Sequence, residues 1–279
     1  MTKLPKKKDT LLEIFKIEKP LIGTIHCLPF PGSPQHENQK IEDIIDHAIG
    51  EALRYQEGGM DGIIVENEGD YPFLRPEDIG YETVSIISII TNKVREAVNI
   101  PVGINVLANG AIPSFAAAKA SQASFIRVNQ WVNAYIANEG FVQGDSAKAL
   151  RYRKNIDSKE IKIFADVHVK HGSHSIVGDR GVSEQAGDVE FFDADVVIAT
   201  GNRTGDPTSI KEIEDIKKGT YLPVIVGSGI NKNNAKKILT KADGAIVGSS
   251  LKKNGNWWEL VDRNKVRDLV NIIEELRSK

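Results

Sequence analysis

Residues 162–169, with the sequence Lys-Ile-Phe-Ala-Asp-Val-His-Val, form a mostly apolar run whose polar side chains come late. A helical pattern at residues 146–155 precedes this run, and another at residues 183–192 follows it. A short apolar segment between two amphipathic ones is typical of βα units, in which parallel strands alternate with helices. The run therefore predicts one strand of a parallel sheet.

Seven other segments repeat this pattern along the chain of 279 residues. The predicted strands are residues 21–27, 62–67, 101–106, 125–129, 162–169, 195–200, 223–227 and 244–248. The predicted helices are residues 41–56, 82–98, 114–121, 146–155, 183–192, 209–217, 233–239 and 263–276. Eight such pairs favour a single (β/α)8 TIM barrel over residues 21–279, and an open doubly wound sheet is the alternative. Residues 1–20 form an N-terminal extension, in which Asp9 or Thr10 is expected to cap a short helix across the barrel floor.

The overall composition argues against several classes of function. A net charge of −2 and a pI near 6.3 disfavour nucleic acid as a partner, because such proteins usually carry a basic surplus. No apolar run approaches the roughly 18 residues of a spanning helix, so no integral membrane segment is expected. Cys27 is the only cysteine, and the first residues lack the apolar core of an export signal. We therefore expect a cytoplasmic location.

Polar side chains gather toward the end of every predicted strand. Because side chains alternate between the two faces of a strand, residues two apart share one face, and one face of a barrel strand points inward. Counting by twos gives a polar residue late in each strand: Thr24 and His26, Glu66, Asn105, Arg127 and Asn129, Asp166 and His168, Thr200, Ser228, and Ser249. Together they predict a site at the carboxyl ends of the strands, although any single one could be a hydrogen-bonded residue of the barrel interior.

Two glycine and serine turns predict a phosphate site. Residues 227–231, Gly-Ser-Gly-Ile-Asn, follow the seventh strand and precede a helix expected to begin near Asn233. Residues 248–253, Gly-Ser-Ser-Leu-Lys-Lys, follow the eighth strand and add hydroxyls and lysine charge. The loops after strands seven and eight are the usual phosphate cradle of a barrel, although such glycines also form ordinary turns. The predicted phosphate ligands are Ser228, Gly229, Gly248 and Ser249.

Residues 165–171, Ala-Asp-Val-His-Val-Lys-His, carry the densest chemistry. Asp166 and His168 are expected to share the inward face, where a carboxylate can orient an imidazole for acid–base catalysis. Glu66 and His26 are expected to face them across the mouth of the barrel. The same four side chains would be the ligands of a divalent metal if the protein used one, but no cofactor is required.

Further residues are expected to position a substrate. Asn105, Arg127 and Asn129 would hold its hydroxyl groups, and Arg203, in the loop after the sixth strand, would meet a carboxylate or a second phosphate. Lys170 is a candidate for an imine-forming lysine of an aldolase-like barrel, with a solvated loop lysine as the ordinary alternative.

Taken in order, several segments resemble the BtpA/SgcQ family. They are residues 23–34 (GTIHCLPFPGSP), 65–70 (VENEGD), 127–129 (RVN), 165–171 (ADVHVKH), 226–229 (VGSG) and 247–252 (VGSSLK), which together cover nearly everything from the first strand to the last helix. The resemblance implies a TIM barrel. One branch of that family is linked to photosystem I biogenesis at the thylakoid and another to a sugar-metabolism gene cluster. The resemblance carries over no catalytic residue.

These observations favour an enzyme whose partner is a small phosphorylated sugar or ribosyl metabolite. The reaction would be an isomerisation, an aldol-type cleavage or a hydrolysis, with Asp166 or Glu66 as the base and His168 or His26 as the acid. Two alternatives stay open: a non-catalytic assembly factor of the photosystem I type, and a divalent-metal-dependent hydrolase. A homo-oligomer is a common state of such barrels.

Overall fold

Eight parallel strands close into a barrel in the computed structural model, which describes residues 7–201, 203 and 205–278. The predicted extension therefore lies partly outside the described residues, at 1–6, as do residues 202, 204 and 279. The barrel strands are β1 (Leu21–His26), β2 (Gly62–Glu66), β3 (Val102–Asn105), β4 (Phe125–Val128), β7 (Lys162–Asp166), β8 (Val196–Ala199), β9 (Val224–Val226) and β10 (Ala245–Val247). Strands β1 and β10 pair with each other and complete the circle, so the closed barrel is confirmed and the open sheet is not.

Helices follow the strands and surround the barrel. They are α2 (Ile41–Gly58), α3 (Tyr81–Ala97), α4 (Ala111–Ser121), α5 (Ser146–Asn155), α6 (Val182–Phe191), α7 (Ile210–Gly219), α8 (Ala235–Leu239) and α9 (Arg263–Arg277). Their apolar faces pack on the outer face of the sheet, as Ile44, Ala48 and Tyr55 of α2 do. Across the described ranges, no helix is both long enough and apolar enough to span a bilayer.

Helix α1 (Thr10–Phe15) lies at the amino ends of the strands. Asp9 caps it, since its carboxylate accepts hydrogen bonds from the amides of Leu11 and Leu12 at 2.9 and 3.2 Å, as the sequence predicted. Phe15 lies edge-on to Phe125 and Phe164, with ring centroids 5.8 and 6.5 Å away. These rings belong to the apolar cluster inside the barrel, so α1 covers the floor and the opposite end carries the polar groups.

An antiparallel hairpin that the sequence analysis missed lies between β4 and α5. It consists of β5 (Ala134–Ala137) and β6 (Gly140–Gln143), joined by a turn in which Gly140 has a φ of +96°. Ile136 and Ser173 exchange two backbone hydrogen bonds, of 3.0 and 2.7 Å. The hairpin therefore anchors the loop that follows β7.

The inward faces of β9 and β10 differ by one residue from the predicted ones. Ile225 and Ile246 belong to the cluster inside the barrel, whereas Val226 and Val247 pack outward against the helices. Counting by twos from the inward residues places Gly227 and Gly248, and not Ser228 and Ser249, on the inward face. Both faces of a buried parallel strand are apolar, so the sequence of these strands does not reveal which face is which.

Candidate active site

Arg127, on β4, lies at the centre of the carboxyl end of the barrel. Its Nε and Nη2 donate to the two carboxylate oxygens of Asp166 at 3.1 and 2.9 Å, and its Nη1 donates to Glu66 Oε1 at 3.3 Å. All three side chains are buried. Burial alone would lower the pKa of Arg127, but the carboxylates of Asp166 and Glu66 outweigh burial and raise it. The guanidinium thus stays charged and holds the two carboxylates in place.

Asp166 is completely enclosed by this pairing. Its carboxylate uses both oxygens on Arg127, its side chain has no exposed area, and it does not line the cavity above Arg127. Asp166 therefore holds Arg127 in place, and its expected role as a catalytic base stays a prediction.

Glu66, at the end of β2, faces the cavity. Its Oε1 accepts from Asn105 Nδ2 at 3.1 Å as well as from Arg127, while its Oε2 lies 3.8 Å from His26 Nε2. Asn105 Oδ1 is buried and has no hydrogen-bond partner among the described residues. An unpartnered buried acceptor is uncommon, and Asn105 lies behind Glu66, outside the residues that line the cavity.

His26, at the end of β1, is held as a neutral imidazole. Its Nδ1 donates to the carbonyl oxygen of Trp257 at 2.9 Å, and its Nε2 accepts from the Thr24 hydroxyl at 3.1 Å. Burial lowers the pKa of His26 to about 4, and the ammonium of Lys252 adds to that effect. Nε2 of this neutral ring carries a lone pair and could accept a proton, and the expectation that His26 is the acid stays a prediction.

Two residues complete the cavity, Glu68 and Lys170. Glu68 begins a short 3₁₀ turn after β2, and Lys170 lies in the loop after β7. Burial, reinforced by the carboxylate of Glu66, raises the pKa of Glu68 to about 7, which suits an acid at neutral pH. The sequence analysis missed Glu68 because the alternation of faces does not apply beyond the end of a strand. The available signal was the motif Val-Glu-Asn-Glu, in which Glu68 lies two residues after Glu66.

The two glycine and serine turns line the same cavity. Ser228 and Gly229 follow β9, and Gly248 and Ser249 follow β10, with Arg127 and Lys170 on the facing side. The volume of about 40 Å³ would hold about three water molecules or, in their place, one compact anion. Gly229 has a φ of +71°, and a Cβ at this position would lie 2.3 Å from the Asp206 backbone, so glycine is needed here.

The helix expected near Asn233 contributes less to this cradle than predicted. It begins only at Ala235 and contains five residues. The amides of Asn231 and Asn233 already donate to side-chain oxygens of Asn234 and Asn231, each at 2.9 Å. The turns themselves, and not a helix dipole, therefore face the cavity.

A larger and more apolar cavity of about 350 Å³ adjoins the polar one, and Glu68 and Lys170 line both. Asn129, predicted to position a substrate, lines this second cavity and not the first. Its Oδ1 accepts from the amide of Asn109 at 3.3 Å. The remaining walls are mainly carbon; they include Tyr71, Pro72, Phe73, Leu107, Ala108, Tyr135 and Val169.

His168 does not line either cavity, so its predicted position on the inward face beside Asp166 is wrong. Strand β7 ends at Asp166, so the alternation of faces stops before His168. Its Nδ1 lies 3.4 Å from a carboxylate oxygen of Glu212 on α7, and its ring lies 4.0 Å from that of His174. The predicted group of His26, Glu66, Asp166 and His168 is therefore not assembled.

Two basic residues expected near the phosphate also lie elsewhere. The side chain of Arg203 is exposed, and only its carbonyl oxygen reaches the site, accepting from the Ser228 hydroxyl at 3.3 Å. Lys252 is buried beneath the turn, where its ammonium binds the buried carboxylate of Glu51. The positive charge facing the turns therefore comes from Arg127 and Lys170.

A metal, if one bound, would use a different donor set from the predicted one. His26, Glu66 and Glu68 each offer one atom within 4.8 Å of the other two. Arg127 and Lys170 lie beside this group and line the same cavity. The charge of Lys170 opposes a divalent cation, whereas the charge of Arg127 is already balanced by Asp166 and Glu66.

Comparison with known proteins agrees with the fold. The BtpA family model matches residues 17–275. An uncharacterized protein of Archaeoglobus fulgidus is 41% identical over 91% of this chain and 98% of its own length. The Synechocystis photosystem I biogenesis protein BtpA is 36% identical over 96% of this chain and 93% of its own.

Solved structures show the same barrel at low sequence identity. Thiamine phosphate pyrophosphorylase from Pyrococcus furiosus superposes with a TM-score of 0.54 at 18% identity, covering 92% of this chain and 96% of its own. N-(5'-phosphoribosyl)anthranilate isomerase from the same organism gives 0.55 at 15% identity, covering 92% and 99%. These similarities establish the TIM-barrel architecture, and the match along nearly the whole sequence establishes the family. The chain belongs to the BtpA family.

Proposed function

We propose that this protein is a cytoplasmic enzyme acting on a small phosphorylated sugar or ribosyl metabolite. One observation carries the proposal: the turns after β9 and β10 face Arg127 and Lys170 across a small polar cavity that His26, Glu66 and Glu68 also line. An anion-sized space is thus combined with acid–base groups at the end of the barrel where such enzymes bind substrates.

The phosphate would occupy the space between Ser228, Gly229, Gly248 and Ser249. Two solved structures of similar fold are named for a thiamine phosphate and a phosphoribosyl compound, which supports a phosphorylated substrate. Glycines allow the backbone to approach the anion closely, and the serine hydroxyls add donors. The Arg127 charge, shared with Asp166 and Glu66, would set the potential of the cavity.

His26 and Glu68 would form the acid–base pair. The neutral imidazole of His26 can accept a proton at Nε2, whereas Glu68, half protonated near neutral pH, can donate one. Glu66, fixed by Asn105 and Arg127, lines the cavity and would orient the substrate's hydroxyl groups. Isomerisation, aldol-type cleavage and hydrolysis all require such a pair.

A thermal-shift screen tests this proposal. Sugar phosphates and nucleotides would be compared with their unphosphorylated counterparts, each with and without a divalent metal. A specific compound at about 100 times its Kd stabilises the fold by about 2.7 kcal/mol, which corresponds to a Tm increase on the order of 5 °C. Stabilisation by phosphorylated compounds only is the expected result. Equal shifts with unphosphorylated counterparts would contradict it, and shifts seen only with metal would favour the metal-dependent hydrolase.

A non-catalytic assembly role is the second candidate, because the Synechocystis relative is named for photosystem I biogenesis. Exposed aromatic side chains on the outer helices fit a partner surface: Tyr81 of α3 is 92% exposed and Phe191 of α6 is 58% exposed. Absence of any shift with small phosphorylated molecules, together with loss of a partner complex on Tyr81→Lys substitution, would favour this role.

A further inference from the structure

Lys170 lies between the two cavities at the mouth of the barrel. It comes four residues after the end of β7, in a loop that Ser173 fastens to the hairpin through its hydrogen bonds with Ile136. The side chain lines both the polar cavity with the glycine and serine turns and the larger apolar cavity. A group in the larger cavity that is attached to a phosphate in the smaller one must therefore pass Lys170.

The Lys170 ammonium has no hydrogen-bond or ion-pair partner among the residues that the structure describes. Other lysines near the barrel are paired: Lys252 binds Glu51, and Lys162 binds Glu13 at 3.0 Å. Burial lowers the pKa of Lys170, and the neighbouring Arg127 lowers it further, against an opposing effect of Glu68. A partly buried, unpartnered lysine whose pKa is lowered is the chemical type that adds to carbonyl groups.

We propose that Lys170 is a nucleophile that forms an imine with an aldehyde or ketone carbonyl of the phosphorylated substrate. This inference rests on the proposed function, because a phosphate held by the turns after β9 and β10 would direct the carbonyl group toward Lys170. It narrows the reaction to one that passes through a protein-bound imine, such as carbon–carbon bond cleavage next to a carbonyl.

The chemical step balances with residues already in the site. Neutral Lys170 Nζ attacks the carbonyl carbon and forms a C–N bond, and one N–H proton moves to the oxygen to give a carbinolamine. The protonated Glu68 carboxyl then gives its proton to the hydroxyl group, which leaves as water. The C–O bond breaks, the nitrogen lone pair forms the C=N bond, and the products are a protonated imine and the Glu68 carboxylate. No oxidant or reductant is needed.

The larger cavity defines the rest of the substrate. Its walls include the side chains of Tyr71, Phe73, Leu107 and Tyr135, and its volume is about 350 Å³. Such walls suit a planar ring or another apolar substituent better than a second charged group. The substrate class is therefore a phosphorylated aldehyde or ketone that carries an apolar or ring-shaped portion.

Pyridoxal 5'-phosphate is a suitable probe, because it combines an aldehyde, a planar ring and a phosphate. The protein would be treated with a substoichiometric amount at pH 7, reduced with borohydride, digested and mapped by mass spectrometry. Lys211, whose side chain is 88% exposed, is the internal comparison. Because Lys170 lines both the cavity proposed for the phosphate and the cavity proposed for the ring, a bound probe would hold its aldehyde near this side chain, and we expect Lys170 to be labelled at least about tenfold more than Lys211. Labelling of Lys170 no greater than that of Lys211 would overturn the proposal.

Matched variants separate nucleophilicity from charge. Lys170→Arg keeps the positive charge but cannot form an imine, so selective labelling at position 170 should disappear. In Lys211→Arg, Lys170 should be labelled as in the wild type. The wild-type peptide map decides the question even if Lys170→Arg proves unstable. Persistent selective labelling elsewhere in the site of Lys170→Arg would show that another residue is the nucleophile.

Two further arms distinguish this inference from the proposed function. Pyridoxal, which lacks the phosphate, should label Lys170 more slowly, and inorganic phosphate should protect Lys170 from pyridoxal 5'-phosphate. If pyridoxal labels Lys170 as well as its phosphate does and inorganic phosphate gives no protection, the phosphate site is wrong and the nucleophile stands. If phosphate binds and Lys170 is not labelled, Lys170 is not the nucleophile and the phosphate site stands.

Discussion

The guanidinium of Arg127 binds both carboxylate oxygens of Asp166, through Nε at 3.1 Å and Nη2 at 2.9 Å, and the pair is shielded from solvent. Neither residue belongs to the helices or loops; they project from adjacent strands, β4 and β7. The barrel itself therefore fixes the central charge of the site, while the surrounding loops supply Glu68, Lys170 and the turns.

Replacing Arg127 should destabilise the fold strongly. Arg127→Met leaves the carboxylates of Asp166 and Glu66 buried without a counter-charge, and breaking such a pair costs about 3 to 5 kcal/mol. Arg263→Met is the matched control, because Arg263 pairs with Glu57 on the surface, where about half of each side chain is exposed. That variant should lose no more than about 1 kcal/mol. Urea unfolding measures both, and equal losses would contradict the assignment.

His26 should make stability depend on pH in the mildly acidic range. Its pKa is about 4 in the folded protein and about 6.5 when unfolded, so between these values the unfolded chain binds more protons. Stability should therefore fall as pH decreases from about 6.5 to 4, by about 3 kcal/mol in total. His26→Asn keeps a donor for the Trp257 carbonyl and removes the titrating ring. Between pH 6.5 and 4, the unfolding free energy of the wild type should therefore fall relative to that of the variant. If the two free energies change with pH in parallel, the prediction is wrong.

Lys252 should matter for stability and not for phosphate affinity. Lys252→Met leaves the buried Glu51 carboxylate with the amide of Val261, at 2.9 Å, and Arg54 Nη1, at 3.4 Å, as donors, and should cost about 3 kcal/mol. Glu51→Gln in the same chain should recover most of the loss, because the unpaired charge is gone. Denaturation of the two single variants and the double variant measures this coupling. Loss of phosphate binding in a folded double variant would show instead that Lys252 contacts the anion.

Filling the space beside Gly248 should weaken anion binding. A Cβ at this position would lie 2.6 Å from Thr24 Oγ1 and 3.5 Å from the His26 ring, at the wall of the small cavity. Gly181→Ala is the control, because nothing lies within 4 Å of its Cβ. We expect Gly248→Ala to reduce affinity for ribose 5-phosphate at least about tenfold, equal to about 1.4 kcal/mol. Equal affinities of the two variants would count against the cradle.

The barrel could be predicted from the sequence because its signal is repeated. Eight apolar runs alternating with amphipathic helices leave few arrangements that bury all the apolar faces. The short hairpin at 134–143 was missed, although the turn Asn138-Glu139-Gly140 is a recognisable signal, because its strands of four residues show little alternation.

The direction of a side chain in the site could be predicted only for residues that lie on strands. Glu66, Asn105 and Arg127 lie on strands, and alternation correctly places their side chains inside the barrel, where Asn105 and Arg127 both donate to Glu66. His168 and Glu68 lie just beyond strand ends, where the backbone leaves the pleat and alternation no longer applies. The pairing of Lys252 with Glu51 joins residues 201 positions apart, a contact that no local pattern reveals.

Calorimetric titration of ribose 5-phosphate into three proteins tests the phosphate cradle most directly: the wild type, Ser249→Asn and Ser249→Asp. The two variants have side chains of nearly equal size and differ in charge, at a residue that lines the cavity. Because the two variants fill the cavity equally, the cradle predicts that the aspartate variant binds at least about thirtyfold more weakly than the asparagine variant, equal to about 2 kcal/mol. Equal binding by all three proteins, or the same heat from unphosphorylated ribose, would contradict it.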